Sequence, residues 1–211
     1  MMISPMMYVE SEIKGKSLED MLRKIRGLKQ EIGRLRNKVE TSQFEDAIIE
    51  PSPITQLKVY KDYLKYAIKE FEASGGEYHM SNKEKKVAAF DADIENIVSV
   101  ELEYGGFLCG SERRKVYFDE DKIKTERISY RVAYGPDNCF FLDMNKESFL
   151  SELRDIGIGE WKHKYYDPYV LDGIQWELVI RYTDKRCRKY LGSNAFPYNF
   201  RELLELMEME E

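Results

Sequence analysis

The sequence predicts an α+β fold: an antiparallel sheet of about five or more strands with helices packed on one face, preceded by a long N-terminal heptad-patterned helix. Three observations predict it. Apolar residues recur at alternating spacings of three and four from Leu18 to Val39. The period changes to two around 98–134 and again from Ile174 to Tyr182. Capped helical segments stand between and after those alternating runs.

The N-terminal helix carries the strongest pattern. Leu18, Met21, Ile25, Leu28, Ile32, Leu35 and Val39 form an a/d seam over three heptads, and Ser17 with Asp20 resembles a capping box that starts it. At 1.5 Å per residue the helix is a rod of roughly 35 Å. Its apolar seam needs a cover, and three covers are open: a second copy, another protein, or the chain's own body. Residues 14–39 hold nine Lys or Arg against three Asp or Glu, a balance of +6 in a chain of net charge −6, which leaves −12 elsewhere. Lys24, Lys29, Arg34, Arg36 and Lys38 make the basic flank. In a parallel pair of copies Glu31 would meet Arg36, which helps, and Lys24 would meet Lys29, which does not. Self-association is the first expectation for this arm of residues 1–41.

A linker is expected over 42–53, where Pro51 and Pro53 bracket Ser52, and an α+β domain over 54–211. Ser52 and Pro53 cap a helix running to about residue 73. Leu57, Tyr60, Leu64, Ala67, Ile68 and Phe71 form its apolar face, and Lys58, Lys61, Lys65 and Lys69 a basic stripe opposite. Stretches around 78–80 and 87–90 suggest an edge hairpin. Val98, Val100, Leu102 and Tyr104 then share one face of a strand, followed by Val116 and Phe118 on a second and Ile128, Tyr130, Val132 and Tyr134 on a third. Asn145 caps a helix over 146–156 that Gly157 ends. The loop after it is rich in aromatics, and Trp161, Tyr165 and Tyr166 are candidate surface contacts.

From Asp172 the chain reads D-G-I-Q-W-E-L-V-I-R-Y-T-D and then, from Gly192, G-S-N-A-F-P-Y-N-F. Ile174, Trp176, Leu178, Ile180 and Tyr182 share a strand face, 183–185 turn it, and Asn199 with Glu202 caps a last helix. This D-G-x-x-W-x-L-x-I-x-Y…G-S-N-A-F-P-Y-N-F pattern resembles the C-terminal signature of small uncharacterised bacterial proteins, mostly from Firmicutes. The resemblance implies an intact α+β body and no particular activity.

Chemistry has few footholds. Cys109, Cys139 and Cys187 are odd in number and widely spaced, which suits neither a disulfide framework nor a zinc site and is expected of a cytoplasmic protein. No secretory leader is expected from M-M-I-S-P-M-M-Y-V-E, and no stretch nears the ~18 apolar residues of a membrane span. Phosphate loops, dinucleotide fingerprints and the nucleophile elbow are missing. A divalent-metal site would have to be built from His163, Asp167, Asp172 and Glu177, but Val179 stands where a nuclease-like pattern needs Lys. Neither metal nor cofactor is expected. Arg186 and Arg188 beside Cys187 would activate the thiol, yet no base is evident. The leading expectation is a non-enzymatic protein-interaction module that pairs with itself or grips a partner through the heptad helix. A narrower form is a mobile-element-encoded, anti-CRISPR-type inhibitor of a nucleic-acid-handling enzyme. Nucleic-acid binding through the basic arm and the Lys58–Lys69 stripe is the alternative, and a metal-dependent hydrolase the second.

Overall fold

The computed structural model describes residues 3–41, 51–106, 110–119, 122–129, 139–141, 144–170 and 173–209. The chain divides into two compact units, Met1–Met80 and Ser81–Glu211. The boundary thus lies after the helix that follows the proline-bracketed linker, not within that linker. That helix packs on the N-terminal arm.

The first unit is three helices: α1 (Pro5–Glu12), α2 (Leu18–Thr41) and α3 (Pro53–Ala73). The Ser4 side chain caps α1 by accepting from the Met7 amide, with Pro5 in the first turn, the same device that Ser52 and Pro53 supply to α3. The Ser4-Pro5 pair carries the same local signal as Ser52-Pro53. Ser17 Oγ accepts from the Asp20 amide at 3.2 Å to open α2.

The α2 seam is covered by the chain itself. Met21, Ile25 and Leu28 are buried with Val9 and Ile13 from the α1 region and Tyr63, Ala67 and Phe71 from α3. The first half of α2 therefore meets the second half of α3, an antiparallel pair. Leu35 and Val39 are buried too. Tyr63, absent from the expected α3 face, is central to this packing. It stacks on Tyr8 at 4.3 Å, accepts from the Ile3 amide and donates to the Ile3 carbonyl. Each seam side chain so covered contributes roughly 2 kcal/mol.

The second unit opens with α4 (Asn82–Asp93), where an edge hairpin was expected. Ser81 Oγ accepts from the Glu84 amide while the Glu84 carboxylate accepts from the Ser81 amide, a full capping box that outweighs the weak β signal of Val87–Phe90. Then come β1 (Ile97–Gly106), β2 (Gly110–Asp119), β3 (Lys122–Ser129), β4 (Cys139–Phe141), α5 (Lys146–Ile156), β5 (Lys164–Tyr166), β6 (Ile174–Tyr182), β7 (Cys187–Ser193) and α6 (Phe200–Leu206). The fold of this unit is α+β.

Among the described residues the sheet has seven strands in the order β4-β3-β2-β1-β6-β7-β5. It is mostly antiparallel but mixed, which corrects the purely antiparallel expectation: β5 pairs with β7 in parallel. Strands β5 and β6 run in opposite directions, as a hairpin would, but β7 has inserted between them. Three residues carry too little periodicity to announce such an edge strand.

Val100, Leu102, Leu178 and Ile180 point into a core shared with Phe90 of α4, Phe149, Leu150 and Leu153 of α5, and Leu203 and Leu204 of α6. Two expected phases shift. A bulge between Ile97 and Ser99 turns Val98 outward and buries Ile97 in its place. On β3 the core residues are Ile123 and Thr125, with Thr125 opposite Val116, while Ile128 is exposed. Tyr130, Val132 and Tyr134 lie outside the described residues. Polarity misleads on β3 because the core-facing row holds Arg114 and Arg127, both bonded to Glu112.

A candidate recognition surface on the exposed sheet face

Alternation along the strands sends every second side chain to the face opposite the core. On that face Glu103 of β1 lies directly opposite Glu177 of β6, which in turn lies opposite Leu191 of β7 and then Lys164 of β5. The next row is Gly105, Gln175, Ser193 and Tyr166. Small residues in that row leave a trough of about 440 Å³ lined by both rows. Gly105 cannot be enlarged, since a Cβ there would sit 2.3 Å from the Gly110 carbonyl oxygen. Gln175 donates to Ser193 Oγ at 2.8 Å across the floor.

Beside the trough, after β5, residues 167–170 form a loop segment. Its start is held by the Asp167 amide donating to Ser193 O at 3.0 Å, and Asp167 Oδ1 accepts from the Tyr169 amide at 2.9 Å. Asn194 Nδ2 donates to the Val170 carbonyl at 3.1 Å. Thus pinned, the loop presents Tyr169 at 93% exposure, next to Tyr166 at 66%. Val170 and Leu191 are exposed as well.

Charges elsewhere on this face are neutralised locally. Glu101 accepts from Arg181 at 2.6 Å and has Arg113 and Lys115 within 4 Å. Glu177 pairs with Lys189 at 3.3 Å. Glu103 and Lys164 have no ion pair among the described residues.

The residues singled out in the sequence scatter. Of the seam, Met21, Ile25, Leu28, Leu35 and Val39 are buried within the chain, Ile32 is half-buried and Leu18 exposed. A seam already covered has little left to offer a second copy, which counts against the expected pairing through α2. Most of the basic flank is occupied too. Lys24 bonds Glu12 at 2.5 Å and holds its carboxyl below the usual carboxylate range, Lys29 sits 4.9 Å over the Tyr78 ring, Arg34 pairs with Glu31 at 2.9 Å and Arg36 with Glu40 at 2.8 Å. Lys38 is exposed. On α3, Lys58, Lys65 and Lys69 are exposed and Lys61 half-buried. Residues 1–80 carry thirteen Lys or Arg and thirteen Asp or Glu, so the local excess of the arm vanishes within its own unit.

Trp161 and Tyr165 are core residues, not surface contacts, and only Tyr166 of that trio is exposed. Trp161 donates from Nε1 to Asn199 Oδ1 at 2.8 Å, and Asn199 Nδ2 in turn donates to the Ile156 carbonyl. Asn199 therefore spends its side chain on this bridge and does not cap α6, as had been expected. His163 stacks on Tyr190, Asp167 serves the loop, and Glu177 is ion-paired. Asp172 lies outside the described residues. Among the described residues no three His, Cys, Asp or Glu side chains stand close enough to hold a metal ion. Cys187 is exposed, and its neighbour Arg186 is bonded to Asp184 and Asp93. No described helix is long and apolar enough to cross a membrane.

The signature residues near the C-terminus have structural roles. A Cβ on Gly173 would strike Asn194 Oδ1, and one on Gly192 would strike the Trp176 indole, whose Nε1 donates to Ala195 O at 2.9 Å. No protein-family model, curated protein or solved structure matches the chain.

Proposed function

We propose that this chain is a non-catalytic protein-recognition module that works through the exposed face of its sheet and the tyrosine loop beside it. The observation that carries the reading is Tyr169, nearly fully exposed between Asp167 and Val170, both of which are hydrogen-bonded in place. A tyrosine offers large contact area with few rotatable bonds, and a segment already held by hydrogen bonds, as residues 167–170 are, loses little entropy on binding. Tyr166, Val170 and Leu191 extend the same patch. Pairing of two copies through α2 has less support, because its seam is already covered.

The narrower reading, an inhibitor of a nucleic-acid-handling enzyme, rests on acidity. Residues 81–211 keep a balance of −6, with twenty Lys or Arg against twenty-six Asp or Glu. That is half the −12 assigned to the body when the arm was counted alone.

The test is partner capture by the full chain and by two surface variants. Tyr166→Ser with Tyr169→Ser is expected to lose the captured partner. Lys58→Glu with Lys65→Glu and Lys69→Glu is expected to keep it. The opposite pattern would discard this surface in favour of the α3 stripe.

A further inference from the structure

The trough on the sheet face has a charge arrangement more specific than a general contact surface, and its chemistry points to one kind of occupant. This step rests on the recognition reading above. At one end, Glu103 and Glu177 face each other on neighbouring strands, with Cβ atoms about 5 Å apart by register. Like charges directly opposite destabilise a strand pair; Lys189 offsets Glu177 at 3.3 Å and Arg113 stands opposite Glu103 on β2, but no ion pair to Glu103 is made among the described residues. At the other end stands Lys164, on the edge strand. Glu103 and Lys164 belong to one row across β1, β6, β7 and β5, so three strand spacings of roughly 4.8 Å put them ~14 Å apart. Neither has an ion pair among the described residues. Between the poles lie Leu191, Gln175 and Ser193, and the Tyr166 ring forms a wall.

We infer that this trough binds an extended peptide laid across the strands, with a basic side chain between Glu103 and Glu177 and a carboxylate at Lys164. The dimensions agree. Four residues of extended chain advance about 13 Å, and residues i and i+4 of a strand project from the same face. A basic residue and an acidic residue four apart therefore reach both poles at once. Leu191 and Tyr166 cover the aliphatic stems between them. The volume of about 440 Å³ lies in the range of pockets that hold a short peptide or a drug-sized ligand.

The probe is the pentapeptide acetyl-Arg-Ser-Thr-Ser-Glu-amide, titrated into the isotopically labelled full-length protein and followed by amide chemical shifts. Saturable shifts are expected at Glu103, Lys164, Tyr166, Glu177 and Leu191. Replacing Arg by citrulline, which keeps the shape and removes the charge, is expected to weaken binding at least tenfold. Replacing the peptide Glu by Gln is expected to weaken it about fivefold. On the protein, Glu103→Gln with Glu177→Gln should reproduce the citrulline loss and Lys164→Gln the other, while the ligand swaps read the same contacts without any risk to folding. Equal affinity for the charged and the neutral peptides would overturn the inference. So would free arginine binding as tightly as the peptide, which would make the trough a small-molecule site. If no peptide binds but Tyr166→Ser with Tyr169→Ser still abolishes partner capture, the inference fails and the recognition surface stands.

Discussion

Arg114 on β2 holds Glu208 at the end of the chain, 94 positions away. Its guanidinium donates to the Glu208 carboxylate at 3.2 Å and to the Glu208 carbonyl at 2.8 Å, while reaching Glu112 at 3.3 Å. The arginine is buried on the core side of the sheet, so the C-terminal segment, with Met207 and Met209 buried beside it, is fastened by a charge that water does not reach.

Truncating Arg114 leaves a hole in the core side of the sheet and removes its bonds to Glu112 and the Glu208 carbonyl, while the half-exposed Glu208 carboxylate returns to water. Arg114→Ala is expected to cost ~3 kcal/mol, and Arg114→Met less, because the thioether fills the space without asking for partners. Both tryptophans, Trp161 and Trp176, lie in the 81–211 unit, so urea unfolding followed by tryptophan fluorescence reads this unit alone. Equal losses for the two variants would contradict the argument.

Asn199 joins Trp161 Nε1 to the Ile156 carbonyl inside the core. Asn199→Leu strands both groups in a dry environment and is expected to cost about 2 to 4 kcal/mol by the same fluorescence measurement. Trp161→Phe removes only the donor and is expected to cost less from hydrogen bonding, with a packing loss in addition. A substitution at Asn199 that cost no more than a lost surface cap, ~1 kcal/mol, would return the residue to the helix-capping role that its sequence position suggests.

Tyr182 has a buried hydroxyl with no hydrogen-bond partner among the described residues, and burial pushes its ionisation up to about 12, partly offset by Arg188. The unfolded chain ionises a tyrosine near pH 10, so the unfolded state releases its proton first. The stability that depends on a neutral Tyr182 is complete below about pH 10 and is lost progressively between about 10 and 12, by up to ~3 kcal/mol. Tyr190 is raised in the same direction, chiefly by burial. Tyr182→Phe is expected to leave stability at pH 7 unchanged or slightly higher, and to flatten this alkaline decline. A large loss at pH 7 on that substitution would show that the hydroxyl has a partner after all.

Ile25 and Leu28 sit in the core of the 1–80 unit. Leu28→Ala is expected to cost about 3 kcal/mol of that unit's stability, read by loss of helical circular dichroism. The mass in solution should not change, because the side chain is packed on α1 and α3 and not on a second copy. A fall in mass with helicity retained would restore the pairing role first expected of the seam.

Local signals were legible and distant ones were not. Ser17, Ser52, Asn145 and Gly157 mark helix ends by bonds made within a few residues, and Ser4 and Ser81 carry the same signals, which were there to be read. The mistaken phase of β3 has another cause. Arg114 and Arg127 occupy core-facing positions because Glu112 and the C-terminal segment reach them, and no window of sequence contains all of these groups. Asn199 looked like a cap for the same reason, since its partners Trp161 and Ile156 lie about forty positions upstream.

By itself the sequence determined an amphipathic helix with an apolar seam on α2, the alternation of β6 and of β1 from Val100 onward, and the tight turn around Lys185. These follow from backbone sterics and the periods of helix and strand, which act over a few residues. Tertiary structure alone decided what covers the seam, that β7 inserts between β5 and β6, and that Glu103, Glu177 and Lys164 share one row of the sheet. An apolar stripe or a charged side chain states only that it needs a partner, and which partner it meets depends on segments that folding brings together from far along the chain.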